Sequence, residues 1–219
     1  MTKMVKVWDA PTRLFHWSLL LLFCVMWYTG KQGGDLLHYH VLCGEAVGSL
    51  LLFRLIWGVC GSETARFSQF VKGPAGIRRY LKGDMAEHEQ PGHNPLGGLM
   101  VLALLAVLLL QVGTGLFSSD VDSYTFDGPL AKFVASGVSE SVTAFHKAFF
   151  NAILVLVALH VLAIVAYRLL KKQNLVRPML TGYKEISGEL APLQFRPWFL
   201  ALLALLLSAG GFYLLLSRL

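Results

Sequence analysis

The sequence is poor in charge. Asp, Glu, Lys and Arg together make up 15% of its 219 residues, whereas 55% of the residues are hydrophobic. Soluble globular domains are usually about 25% charged, and the mean hydropathy of this chain is +0.59. The composition therefore excludes an ordinary soluble domain and indicates a chain built for a lipid bilayer.

Cysteine is also scarce. The chain has three, Cys24, Cys43 and Cys60, and none lies in a Cys-X-X-Cys-His motif. An odd number at scattered positions excludes a disulfide framework, and the missing motif excludes covalently attached haem. We interpret the three thiols as small buried side chains.

The chain also lacks an internal repeat and any polar stretch long enough for a catalytic domain. Five apolar segments each approach the ~20 residues that a bilayer crossing requires. They lie at about 14–30, 38–60, 95–117, 145–167 and 197–217. We predict an all-α integral membrane helical bundle that forms a single membrane domain over residues 1–219. Residues 61–94 and 171–196 are expected to be cytoplasmic surface connections.

The distribution of Lys and Arg predicts the orientation. The segments 1–13, 61–94 and 168–196 hold most of these residues, and cytoplasmic loops carry such an excess. We expect a cytoplasmic N-terminus and a C-terminus on the outer side, and the net charge of +6 then needs no nucleic-acid partner. The outer loop, about 118–144, is acidic and suits a basic redox protein, or is simply a solvated loop. Its acidic residues are Asp120, Asp122, Asp127 and Glu140.

Four histidines lie in apolar stretches, where an imidazole is costly unless it has a partner. His146 and His160 are fourteen residues apart, which places them on nearly the same helix face about 21 Å apart along the axis. With the predicted orientation, depth pairs His16 with His160 at the inner level and His40 with His146 at the outer level. Each pair can clamp a haem iron, which suits one-electron transfer. The alternative for each histidine is an interhelical hydrogen bond.

The choice between His38 and His40 rests on neighbouring glycines. Gly44 and Gly48 continue the helix face of His40 and are expected to leave room for a macrocycle. His38 points about 160° away from His40 and is expected to be interfacial.

Four further residues are expected near the inner haem. Arg54 lies fourteen residues after His40, at the inner level, and Arg13 is three before His16; each can pair with a haem propionate. Asn94 followed by Pro95 predicts the start of a helix. His93 and Asn94 can in addition donate hydrogen bonds to a quinone carbonyl.

Several motifs resemble the bacterial di-haem b-type cytochromes, which include the cytochrome b subunits of nickel-iron hydrogenases and bacterial cytochrome b561. They are VWDAPTRLFHW at 7–17, YHVLCG at 39–44, FRLIWGVCGSETARF at 53–67, GHNPLGG at 92–98, and the His146/His160 spacing. The resemblance implies a four-helix core over about 5–170 with two b haems in a bacterial inner membrane. It assigns their ligation to His16, His40, His146 and His160. The fifth span, about 197–217, lies outside that core.

The favoured hypothesis is a transmembrane electron conduit between the quinone pool and a partner such as a hydrogenase or a c-type cytochrome. The chain would then be the electron-transfer component of a membrane oxidoreductase. One alternative is a single-chain quinone-linked oxidoreductase that acts on a small species such as superoxide. A more distant alternative is a proton-coupled transporter, although neither inverted repeats nor broken helices are evident.

Overall fold

The computed structural model describes residues 2–120 and 126–217, so the predicted acidic residue Asp122 lies outside the described residues. The elements run in the order β1 (Thr2–Lys6), α1 (Ala10–Gln32), α2 (Leu37–Cys60), α3 (Phe67–Phe70), α4 (Gly73–Leu81), α5 (Pro95–Leu116), α6 (Ser136–Leu170), α7 (Val176–Thr181), β2 (Tyr183–Ser187) and α8 (Trp198–Ser217).

Within the described residues, five helices are long and apolar enough to cross a membrane, which confirms the predicted fold class. They are α1, α2, α5, α6 and α8. Two of them begin at polar caps. The Asp9 carboxylate accepts the Thr12 N–H at 2.8 Å ahead of α1, and the Asn94 side-chain oxygen accepts the Gly97 N–H at 2.7 Å ahead of α5.

Two helices extend beyond the apolar segments that predicted them. Helix α1 begins at Ala10 and not near 14, and α6 begins at Ser136 and not near 145. The early turns of α6 are polar but anchored. The Ser139 hydroxyl donates to the Phe117 carbonyl at 2.7 Å, and the Thr143 hydroxyl accepts the Ser119 N–H at 2.9 Å. Hydropathy detects only the apolar part of such a helix.

The chain divides into two compact units. Unit 1 comprises Met1–Phe15, Arg54–Ala103 and Leu156–Ala204, and unit 2 comprises His16–Phe53, Leu104–Val155 and Leu205–Leu219.

Unit 1 contains a small antiparallel sheet that the sequence analysis missed. Strands β1 and β2 pair in the register Thr2↔Ser187 to Lys6↔Tyr183. Val7, Trp8 and Ile186 form a buried cluster next to the sheet. The segments 61–94 and 171–196 are therefore ordered by short helices and a strand, and are more than surface connections.

In unit 2, helix α8 packs against α2 through a large residue and a small one. Phe212 is 7% exposed, and its ring lies where a Cβ at Gly48 would approach to 2.5 Å. The space beside Gly48 is thus taken by a phenylalanine. A Cβ at Gly44 would meet the Met26 methyl at 3.5 Å. The expectation that Gly44 and Gly48 make room for a macrocycle is wrong, because these glycines face other side chains.

This packing predicts the effect of a single methyl group. We expect Gly48→Ala to destabilise the protein by about 1–3 kcal/mol, the usual cost of overpacking. Thermal unfolding in detergent measures it. The matched control is Gly210→Ala on α8, where an added Cβ meets nothing within 4 Å. Equal unfolding temperatures for the two variants would contradict the contact.

Candidate histidine-pair site

Unit 2 brings together the two histidines that were predicted to form the outer pair. His40 on α2 and His146 on α6 have ring centroids 6.3 Å apart, with their planes at 86°. Both side chains are partly buried. The sequence analysis predicted this pairing from membrane depth alone.

Two glycines on neighbouring helices make room for the rings. A Cβ at Gly30 on α1 would lie 2.9 Å from Cε1 of His40, and a Cβ at Gly115 on α5 would lie 3.0 Å from Cε1 of His146. Any larger residue would push the imidazole aside. The relevant glycines are therefore on other helices than the one that carries His40.

The hydrogen bonds of His40 define which ring nitrogen is free to bind a metal. Its Nδ1 lies 3.0 Å from the Met26 carbonyl oxygen, which can only accept a hydrogen bond, so Nδ1 carries the proton. The Thr29 hydroxyl is a weaker neighbour of Nδ1 at 3.4 Å. Since a neutral imidazole has one N–H, the Nε2 atom presents a lone pair.

His146 is oriented in the same way by α5. Its Nδ1 lies 3.0 Å from the hydroxyl oxygen of Thr114. That hydroxyl proton is directed to the carbonyls of Leu110 and Gln111 at 3.0 and 2.9 Å, so the oxygen accepts from Nδ1–H. The amide nitrogen of Gln111 lies 3.2 Å from Nε2 of His146 and donates to its lone pair. Gln111 has to turn away before a metal can bind there.

A haem iron fits between these rings. Two metal–nitrogen bonds of about 2.0 Å between facing imidazole nitrogens hold the ring centroids about 6 Å apart, which agrees with the observed 6.3 Å. Among the described residues, no group of three or more His, Cys, Asp and Glu side chains is arranged to hold a metal ion. A pair of imidazoles suits a metal that brings its other ligands with it, as iron does in a porphyrin.

The inner pair is distributed over the two units. His16 on α1 belongs to unit 2 and His160 on α6 belongs to unit 1, so their pairing stays a prediction. Helix α6 is continuous from His146 to His160, which preserves the predicted spacing. His38 packs near Phe126, with ring centroids 5.8 Å apart.

Arg54 lies in unit 1 and is 2% exposed. Its guanidinium carbon lies 4.9 Å from the centroid of the Phe67 ring. Its Nη1 is buried and has no hydrogen-bond partner among the described residues. A buried guanidinium N–H without a protein acceptor favours the binding of an anionic oxygen, which would accept its hydrogen bond.

Arg13, the other predicted propionate ligand, has a structural contact. Its guanidinium donates to the Leu180 carbonyl at the end of α7. Gly182 follows with a φ of 89°, and a Cβ there would meet the Trp8 carbonyl oxygen at 2.9 Å. Through this hydrogen bond, Arg13 stabilises the turn between α7 and β2.

The predicted quinone residues His93 and Asn94 differ in their surroundings. The His93 ring contacts the rings of Trp8 and Phe70, at centroid distances of 4.6 and 4.7 Å. The Asn94 amide nitrogen donates to the Tyr167 hydroxyl at 2.8 Å, while its oxygen caps α5. The cap confirms the structural role predicted for Asn94.

A cavity of about 160 Å³ in unit 1 is lined by Phe70, Gln90 and His93, among others. The Gln90 side-chain oxygen is buried and has no hydrogen-bond partner within residues 2–120 and 126–217. Glu89 also lines the cavity, and its pKa is lowered by the Ala86 N–H and by Arg79, whose guanidinium lies 2.8 Å from the carboxylate. The cavity has room for a single ring, not for a drug-sized ligand.

The family model of the prokaryotic cytochrome b561 matches residues 7–182. The chain belongs to this family. The match includes all four predicted haem ligands and stops before α8, in agreement with the resemblance noted in the sequence.

Curated relatives carry the name probable Ni/Fe-hydrogenase B-type cytochrome subunit. The one from Azotobacter vinelandii is 26% identical over 84% of this chain and 90% of its own length. The one from Rhizobium leguminosarum bv. viciae is 25% identical over 81% of this chain and 87% of its own length. No solved structure matches the chain.

Membership of the cytochrome b561 family, together with five apolar helices, makes this a multi-pass membrane protein of electron transport. A b-type cytochrome carries haem b, and the geometry of His40 and His146 fits that group.

The sequence analysis missed the residues that orient the rings. Met26 acts through its main-chain carbonyl, which no side-chain pattern indicates. Thr114 and Gln111 lie one helical turn apart on α5, and two polar residues in an otherwise apolar run were a detectable signal. Asp9 was missed as well. It is 4% exposed and accepts the indole N–H of Trp57 at 2.9 Å.

The role of Thr114 gives a testable prediction. Thr114→Val keeps the shape but leaves Nδ1–H of His146 without its acceptor, so we expect haem affinity at this site to fall about 10–100-fold. Haem titration of the apoprotein, followed by absorbance, measures it. The matched control is Thr29→Val, because His40 keeps the Met26 carbonyl in that variant. A larger loss in the control than in Thr114→Val would contradict the assignment.

Proposed function

We propose that the protein transfers electrons across the membrane through two bis-histidine b haems, linking the quinone pool to a partner redox protein. The observation that carries the proposal is the proximity of His40 and His146, whose ring centroids are 6.3 Å apart and whose Nδ1 atoms are both hydrogen-bonded. In this proposal His40 and His146 ligate the outer haem, and His16 and His160 ligate the inner one. The whole chain, residues 1–219, is a single membrane domain in this proposal, and its di-haem core covers about 5–170.

The protein residues hold and orient the ligands. The Met26 carbonyl and the Thr114 hydroxyl fix the tautomers, so each Nε2 carries a lone pair without loss of a proton. The lone pair of His146 becomes available once the Gln111 amide turns away. Gly30 and Gly115 let the rings stand close to the neighbouring backbones. A haem held by these two imidazoles would supply reversible one-electron redox chemistry.

Arg54 is the residue we assign to a propionate. Its buried Nη1 has no partner among the described residues, and a propionate oxygen would provide a charge-assisted hydrogen bond. Arg13 is a second propionate ligand in this proposal, with its buried Nε still available.

Quinone is assigned to the start of α5. His93 lines the cavity of unit 1, where its ring and that of Phe70 offer flat apolar contacts. The amide nitrogen of Asn94 has two hydrogens, and one is used on Tyr167. The second is available to a quinone carbonyl.

The partner is proposed from the names of the relatives, which are cytochrome subunits of Ni/Fe-hydrogenases. We place the partner at the outer face, with the N-terminus in the cytoplasm, the C-terminus outside, and the chain in the bacterial inner membrane. Of the acidic residues predicted to attract the partner, Asp127 and Glu140 are exposed, whereas Asp120 is 8% exposed.

Loss of individual haems tests the pairing. We expect His40→Ala and His146→Ala each to leave one haem per chain, and both to lack the same spectral centre. His16→Ala and His160→Ala should lack the other. Reduced-minus-oxidised spectra with haem stoichiometry measure this, and His38→Ala, expected to keep both haems, is the matched control.

A haem-replete preparation in which His40→Ala and His146→Ala lose different centres would refute the outer pair. A wild-type protein without b-type bands would refute electron transfer through haem altogether.

A further inference from the structure

Four polar side chains of unit 1 form a continuous hydrogen-bond chain that the proposed electron path does not use. The Asn94 amide nitrogen donates to the Tyr167 hydroxyl at 2.8 Å. The hydroxyls of Tyr167 and Tyr80 are hydrogen-bonded to each other. The Lys171 ammonium donates to the Tyr80 hydroxyl at 3.3 Å. The chain thus joins α5, α6 and α4.

The hydrogen bonds of this network use only one of the two phenolic protons of Tyr80 and Tyr167. Asn94 and Lys171 are donors at its two ends, so each phenol oxygen already accepts one hydrogen bond. One phenolic proton fills the bond between Tyr80 and Tyr167. The other phenolic proton has no acceptor among the described residues, and an added acceptor at this site would receive it.

The two ends of the chain differ in exposure. Lys171 is exposed, and its ammonium lies 5.2 and 5.0 Å from the ring centroids of Tyr80 and Tyr167. It can exchange protons with water. Asn94 and Tyr167 are partly buried, and His93 beside Asn94 lines the cavity. The chain therefore leads from the aqueous surface to the residues assigned to quinone.

Asn94 and Tyr167 can act on the same oxygen. Their polar atoms are 2.8 Å apart, and each retains one hydrogen when Tyr80 donates to Tyr167. A carbonyl oxygen bound by the remaining N–H of Asn94 is therefore within reach of the Tyr167 hydroxyl.

We propose that Tyr167, Tyr80 and Lys171 form a proton relay for the quinone, an inference that rests on the quinone part of the proposed function. Reduction of a quinone to a quinol takes two electrons, delivered singly through the protein's haem path, and two protons. For each proton, the Tyr167 O–H bond breaks as the quinone O–H bond forms. Tyr167 regains a proton from Tyr80, Tyr80 from Lys171, and Lys171 from water. Quinol oxidation runs the same steps in reverse.

A purely structural role for the network is the alternative, since the same bonds tie three helices together. Lys171→Arg separates the two. Arginine keeps the charge, the donor and the cation–π contact, but it does not release a proton. If the network is purely structural, Lys171→Arg should behave like the wild-type protein. If it is a proton relay, Lys171→Arg should transfer protons more slowly.

The experiment uses haem-replete protein and a water-soluble ubiquinone analogue in single-turnover mixing. Electron transfer is followed by haem absorbance and proton uptake by a pH indicator. We expect Tyr167→Phe, Tyr80→Phe and Lys171→Arg to slow proton uptake and quinone reduction about 100-fold, in the range that positioned acid–base groups contribute. Haem oxidation by ferricyanide, which takes no proton, should stay at the wild-type rate.

Tyr183→Phe is the matched control, because Tyr183 is an exposed tyrosine of the same unit that takes no part in the hydrogen-bond network of Tyr167, Tyr80 and Lys171. Wild-type proton uptake in Lys171→Arg or in Tyr167→Phe would overturn the relay and leave the quinone assignment standing. A wild-type protein that exchanges no electrons with the quinone would overturn both proposals, and the two failures are thereby distinguished.

Discussion

The hydrogen bonds at Nδ1 of His40 and of His146 are the constraint on which the site depends. In an apolar helix interior, an imidazole without a partner is costly, and one with a free choice of tautomer does not present a defined ligand atom. The Met26 carbonyl and the Thr114 hydroxyl remove both problems at once. The ring centroids are 6.3 Å apart, a spacing that fits two imidazole ligands of one iron.

Close helix packing makes that constraint possible. Because Gly30 and Gly115 have no side chain, the imidazoles pack directly against the neighbouring backbones. Phe212 packs against Gly48 in the same way and so brings α8 into contact with α2. Small residues thus decide where each helix can approach, as is usual in membranes. The buried charges of unit 1 need partners for the same reason. Asp9 has the Thr12 N–H and the Trp57 indole, and Arg54 retains a nitrogen for an anionic ligand.

Much of this was readable from the sequence because it follows from period, length and depth. The five spans, the cap at Asn94 and the proximity of His40 to His146 required only helix geometry and the cost of polar groups in lipid. Of the groups around the rings, Thr114 was detectable as a polar residue in an apolar run. Met26 was not, because it contributes a main-chain atom, and neither were Gly30 and Gly115, because they lie on helices other than those that carry the histidines. The sheet of β1 and β2 joins residues near the start of the chain to residues near 185, a contact that hydropathy does not detect.

The most direct test of the account is the electron paramagnetic resonance spectrum of the oxidised protein with ¹⁵N-labelled histidine. The account predicts a low-spin ferric haem with two imidazole nitrogens and the large anisotropy that ring planes near 86° impose. A high-spin ferric signal, or coupling to a single histidine nitrogen, at the haem lost in His146→Ala would contradict it.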